Sequence, residues 1–194
     1  MLASQKFSLA AVLALLSTAG LAHAAQEIVP PEVPATLEVP EGNRPYLIAH
    51  ATGTQNQVCL PRANGLGLGW AFYGPIATLY NDQDEQILTH FLSPNPDQAG
   101  AARATWQHSR DGSAVWALTH VDPVTVDPTA IPWLLLRVVG DEPGLDGGDK
   151  LSVTTFIQRV NTVGGVAPST DCAPLGAKLF VPYETDYVFY RADH

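Results

Sequence analysis

Between Leu151 and Tyr190 the chain reads as strand, glycine turn, cysteine, strand and hairpin, and the rest of the sequence has to pair with this segment or be tied to it. Val153, Thr155 and Ile157 fall on one side of an extended chain, and Thr154, Phe156 and Gln158 fall on the other. A period of two in β-branched and aromatic residues is the pattern of a half-buried strand. Gly164 and Gly165, after Asn161-Thr162-Val163, supply the positive φ values that a sharp reversal requires. Cys172 follows, and Leu179–Tyr190 is the next extended run.

Shorter pieces of the same kind fill the upstream sequence. Tyr46–Thr52 and Gln55–Leu60 are extended candidates separated at Gly53, and Trp70–Tyr73 is a third. Pro75–Asn81 and Gln86–Leu92 form an expected hairpin around Asp82-Gln83-Asp84-Glu85. Arg103–His108 and Ser113–Val121 form another around Ser109-Arg110-Asp111-Gly112, and Ile131–Val139 is a continuous apolar run typical of a strand buried on both faces. No segment carries the period of an amphipathic helix. About ten strands with polar turns predict an all-β fold, an antiparallel β-sandwich or distorted β-barrel with one disulfide.

The two ends of the reading frame for this domain are set by composition. Residues 1–24 read as a signal peptide: Lys6 is the sole charge before Glu27, Phe7–Leu21 is apolar, and Ala22-His23-Ala24 fits the small-x-small cleavage rule. Residues 25–45 hold Pro30, Pro31, Pro34, Pro40 and Pro45, a density that excludes a regular helix or central strand and predicts an extended arm. Val33, Leu37 and Val39 could lay that arm along the sheet. Residues 46–194 then form a single β-rich domain. The expected location is secreted or periplasmic, with no membrane span.

Charge and cysteines narrow the partners. A formal net charge of −9 repels phosphate backbones, so nucleic acid is a poor partner. Cys59 and Cys172 are the two cysteines. In an oxidising compartment they are expected to pair, two buried thiols being the alternative. No cofactor is implied. Asn64-Gly65-Leu66-Gly67-Leu68-Gly69 lacks the spacing of a dinucleotide loop, and strand rather than helix follows it, so there is no helix N-terminus to hold a phosphate.

Side chains that could carry chemistry are few. Asp111 and Ser113 with a histidine could suggest a hydrolytic triad, yet Ser113 follows Asp-Gly in a hairpin turn, where turn geometry alone favours these residues. His90, His108 and His120 could suggest a metal site. In the expected hairpin, however, His108 and His120 stand roughly 23 Å apart at ~3.3 Å per residue, and both read as surface histidines with no metal implied. His90 differs: facing Ala77 across its hairpin, it shares the apolar face with Leu88 and Leu92, as either a core histidine or a pocket histidine. Arg159 alternates with Ile157 and Val153, which suits a buried ion pair or an anion contact. Of Trp70, Trp106, Trp116 and Trp133, the pair Trp106 and Trp133 are the candidates for a carbohydrate-stacking platform.

Several short motifs occur together in a characteristic order: Thr89-His90-Phe91, Trp106, Asp111-Gly112-Ser113, Ile131-Pro132-Trp133-Leu134-Leu135, Gln158-Arg159-Val160-Asn161-Thr162-Val163-Gly164-Gly165, Cys172, Val181-Pro182-Tyr183, and Tyr187-Val188-Phe189-Tyr190. In these the chain resembles the family called domain of unknown function 3455, exported proteins of fungi and bacteria. The resemblance implies no established activity. Some fungal members bear the label malate dehydrogenase, which the absence of βαβ alternation and of a dinucleotide fingerprint argues against here. The function expected is a non-catalytic binding or structural module of the cell envelope or secretome, its partner an envelope polysaccharide or a small molecule. The alternative is a small enzyme with a pocket centred on His90 and Arg159.

Overall fold

A computed structural model describes residues 28–193, and the expected signal peptide lies outside the described residues. Eight strands run in order: β1 (Asn43–Pro61), β2 (Leu68–Tyr80), β3 (Gln86–Asn95), β4 (Ala101–His108), β5 (Ala114–Thr119), β6 (Leu134–Glu142), β7 (Thr154–Gly164) and β8 (Lys178–Ala192). Each pairs antiparallel with the next, and β8 pairs with β1, closing a barrel. Closure gives every strand two partners and removes the exposed edges that an open sheet would have to protect.

The expected ten strands are therefore eight, and the sandwich alternative gives way to a barrel. Both miscounts come from glycines taken as breaks. Gly53 interrupts nothing: β1 runs straight through it, paired with Ala77 on one side and Tyr183 on the other. A Cβ there would lie 2.1 Å from the Ile76 carbonyl oxygen, so glycine is required for close approach rather than for a turn. Gly74 sits at φ 140° where the β1–β2 register slips between Asn56 and Gln57. This is a β-bulge, which bends the strand without ending it. Two expected pairs of short strands thus become β1 and β2. In β7 the strand starts at Thr154 rather than Leu151 and continues beyond Val160 to Gly164, where the positive φ values of Gly164 and Gly165 fall as expected, with a second register shift between Val160 and Val163.

Alternation sorts the side chains. Ala49 and Ala51 of β1, Leu79, Leu88, Trp106, Val115, Ile157, Tyr187 and Phe189 point inward and are buried. The alanines of β1 leave room for the large rings of β4 and β8, so the barrel is filled by side chains of unequal size. Outside, the proline-rich arm does lie on the sheet. Leu37, with no exposed surface, is buried on the outer face, where Val33 and Val39 pack with Ile48 and Trp133 around Val160, Val188 and Tyr190. Gln158 points into that seam and donates to the Leu37 carbonyl at 2.7 Å, while its own amide oxygen accepts from the Tyr190 hydroxyl. A buried amide satisfied at both ends fixes where the arm lies.

Cys59 and Cys172 form a disulfide. It ties the end of β1 to the loop before β8, and Arg62 holds the same loop through the Thr170 carbonyl at 2.9 Å and the Asp171 carboxylate.

Candidate functional site

One end of the barrel is not filled. A cavity of about 230 Å³ opens there, lined by residues of all eight strands, His90 and Arg159 among them. Their convergence follows from topology. His90 faces inward from β3 in the register the hairpin predicts, opposite Ala77, with Leu88 opposite Leu79. Arg159 faces inward from β7, opposite Leu134 on one side and Tyr187 on the other.

His90 is 3% exposed. Its Nδ1 lies 2.8 Å from the Thr105 carbonyl oxygen. A carbonyl only accepts, so Nδ1 carries the proton and Nε2 keeps its lone pair. The ring stacks on Trp106 with centroids 4.2 Å apart and meets the edge of Tyr187 at 5.2 Å. Burial drives its pKa down to about 3, the Thr105 bond opposing and the nearby Arg159 charge assisting. His90 is thus neutral at ordinary pH and wedged among rings, and it also forms part of the cavity wall.

Arg159 spends two of its N–H groups on a single acceptor. Nε and Nη2 donate to the Pro132 carbonyl at 3.1 and 2.7 Å. No carboxylate lines the cavity and none pairs with this guanidinium among the described residues. Arg103, on the rim, alternates with the inward Ala102 and Ala104, and its Nε is held by Gln98 at 2.6 Å. Two cations thus line the cavity, Arg159 from inside the barrel and Arg103 at the mouth. Two further donors in the wall, Gln55 Nε2 and Trp106 Nε1, are buried without a partner among the described residues. Leu92, Leu134, Leu136 and Phe72 supply apolar surface. The arrangement is a small, mostly apolar chamber offering several hydrogen-bond donors, one inward positive charge with a second at the mouth, and the His90 Nε2 lone pair as an acceptor.

The other candidates are placed elsewhere. Trp106 is inside the barrel, whereas Trp133 is outside, under the arm, so they present no common face. Trp116 points outward and donates to Ser93 at 2.8 Å, and Trp70 lies by the disulfide loop. Ser113 donates to Asp111 at 2.8 Å and accepts the Leu151 N–H, while Asp111 accepts the Lys150 N–H at 2.9 Å. These bonds stitch the hairpin turn to the Asp149–Leu151 segment. His108 Nδ1 accepts the Asp111 N–H at 3.1 Å and makes no bond to Ser113 Oγ, which is not the geometry of a catalytic triad. His108 is buried, not at the surface as expected, because its inward position places it at the closed end of the barrel. His120 is exposed. Among the described residues no cluster of three His, Cys, Asp or Glu side chains could hold a metal ion.

Gln55 and Tyr187 were not singled out from the sequence. Gln55 was hidden by the break placed at Gly53. An unbroken period of two from Leu47 puts Ala49, Ala51, Gly53 and Gln55 on one face, and a lone amide on an apolar face is the signal that would have found it.

The fold and cavity define a class: a closed, eight-stranded antiparallel barrel with a side-chain-filled core and a small cavity at one end. The chain belongs to the family described as "Protein of unknown function (DUF3455)", whose model matches residues 40–191, from just before β1 to the penultimate residue of β8. No curated protein and no solved structure matches the chain.

Proposed function

We propose that the protein is an exported, non-catalytic binding module that holds a small anionic molecule in the open end of its barrel. The observation that carries this reading is the Arg159 guanidinium, set in a mostly apolar cavity with a backbone carbonyl as its hydrogen-bond partner and no carboxylate counter-ion among the lining residues. Desolvating a cation without a counter-charge is costly, and an incoming anion removes that cost. The disulfide is compatible with life outside the cytosol. A small molecule is favoured over a polysaccharide, since Trp106 and Trp133 lie on opposite sides of the barrel wall and form no continuous stacking platform.

The enzymatic alternative draws less support. Its candidate base, His90, has a pKa near 3, far from the operating pH that favours efficient proton transfer, and is oriented by a backbone carbonyl rather than a carboxylate.

The test is a thermal-shift and calorimetric screen of small carboxylates, sulfonates and phosphates against their neutral isosteres. Acids should stabilise the wild type and leave Arg159→Met unaffected. Equal stabilisation by neutral compounds, or an unchanged response in Arg159→Met, would overturn the reading.

A further inference from the structure

The polar groups of the cavity form an asymmetric set, and the asymmetry specifies a ligand. Arg159 has five N–H groups, of which two are taken by Pro132. Three remain, with the Tyr187 hydroxyl within reach of the same guanidinium, and two of them suffice for a forked contact with a carboxylate. His90 contributes the opposite capacity. With Nδ1 committed to Thr105, Nε2 is an acceptor that has no partner among the described residues. An acceptor facing the cavity is satisfied by an O–H or N–H of the ligand, and a bare carboxylate cannot supply one. The remaining wall is mainly leucine, alanine and aromatic surface, with Gln55, Thr119 and, at the mouth, Arg103 as further polar side chains. A cavity of 150 Å³ holds benzene, so 230 Å³ suits a body of about ten non-hydrogen atoms.

We propose that the cavity selects a hydroxylated monocarboxylic acid with a compact apolar body, its carboxylate on Arg159 and its hydroxyl donating to Nε2 of His90. This rests on the anion-binding reading above and adds a chemical class to it. One charge matches the one inward cation: Arg159 neutralises a monoanion, whereas the second charge of a phosphate dianion would find only Arg103 at the mouth, already bonded to Gln98 and the Ala102 carbonyl. The hydroxyl gives selectivity, because the apolar analogue lacking it leaves the Nε2 lone pair unsatisfied.

The experiment titrates the purified, disulfide-bonded protein with 4-hydroxyphenylacetate, phenylacetate and the neutral alcohol 2-(4-hydroxyphenyl)ethanol. The hydroxylated acid should bind about tenfold tighter than phenylacetate, the span of one added hydrogen bond. The neutral alcohol should bind more weakly than either acid. In His90→Phe, which keeps a ring against Trp106, the preference for the hydroxylated acid should fall to about onefold while phenylacetate still binds. A measurement on the wild type needs no variant: the ¹⁵N resonance of His90 Nε2 should move with 4-hydroxyphenylacetate and stay in place with phenylacetate. Equal affinity for the two acids, or an unmoved Nε2 resonance at saturation, overturns the proposal. If the two acids bind equally and Arg159→Met loses both, the anion-binding reading stands and the hydroxy-acid class falls. If neither acid binds, or Arg159→Met binds them unchanged, both fall together.

Discussion

The imidazole of His90 lies nearly flat on the indole of Trp106, the two planes 13° apart. The stack, with Tyr187 against its edge, gives the buried imidazole a tightly packed apolar setting, and that setting decides how it responds to acid.

Because the folded protein holds the His90 pKa near 3 and the unfolded chain has an ordinary value near 6.5, the unfolded state binds the proton first. Stability from this residue is complete above about pH 6.5 and is lost progressively as pH falls toward 3. Thermal melts from pH 8 to 4 should show the wild type losing stability below pH 6.5, with a shallower loss in His90→Phe. Parallel curves for the two proteins would contradict this.

His50 should behave in the opposite sense. On the outer face its Nδ1 is 2.7 Å from Asp186 and its Nε2 is 2.9 Å from Asp82, and these bonds raise its pKa. The stabilisation it adds is full below its unfolded pKa and disappears as pH rises through the folded one. The site is partly exposed, so the effect is modest and should shrink in salt. An NMR titration should find the His50 transition above the ordinary histidine value of about 6.5, and Asp186→Asn should lower it.

Replacing both bridge cysteines with alanine should cost stability. The bond spans 113 residues, a loop whose closure the chain-entropy model values at about 4–5 kcal/mol, with measured effects commonly about 2–5 kcal/mol. Chemical denaturation of the oxidised protein, the reduced protein and the double alanine variant measures this, and the latter two should coincide.

Leu37 tests whether the arm is structural. It is wholly buried against the outer face of the barrel, so Leu37→Ala should cost about 2–5 kcal/mol, as core truncations do. A cost near zero would mean that the arm adds nothing to the stability of the barrel beneath it.

How far the fold could be read from the sequence turned on what each glycine was for. The turn at Asp82–Glu85 fixed a register, and that register put His90 opposite Ala77 where the structure has it. The arm was legible because Val33, Leu37 and Val39 had nowhere else to bury their surface. Gly53 and Gly74 misled because a glycine in extended sequence can mean a turn, a close approach or a bulge, and only the neighbouring strand decides among them. Arg159 was recognised as ambiguous. Its partner, the Pro132 carbonyl, lies across a loop and follows no periodicity a sequence displays. The open end of the barrel depends on side-chain volumes from all eight strands at once, which no single stretch of sequence reveals.

The seam between β1 and β8 joins strands made at opposite ends of the domain, with Val58 beside Lys178. Every other pairing joins neighbours in the chain and can form locally, but this one must wait for the last strand to be available. The disulfide sits at that same seam, where the Cys59 N–H donates to the Ala177 carbonyl at 2.8 Å. Once oxidised, it holds β8 within a few residues of its place on β1. A closure that would otherwise require a search over most of the domain then becomes the zipping of a short loop, so assembly of the ring is tied to the redox state of its surroundings.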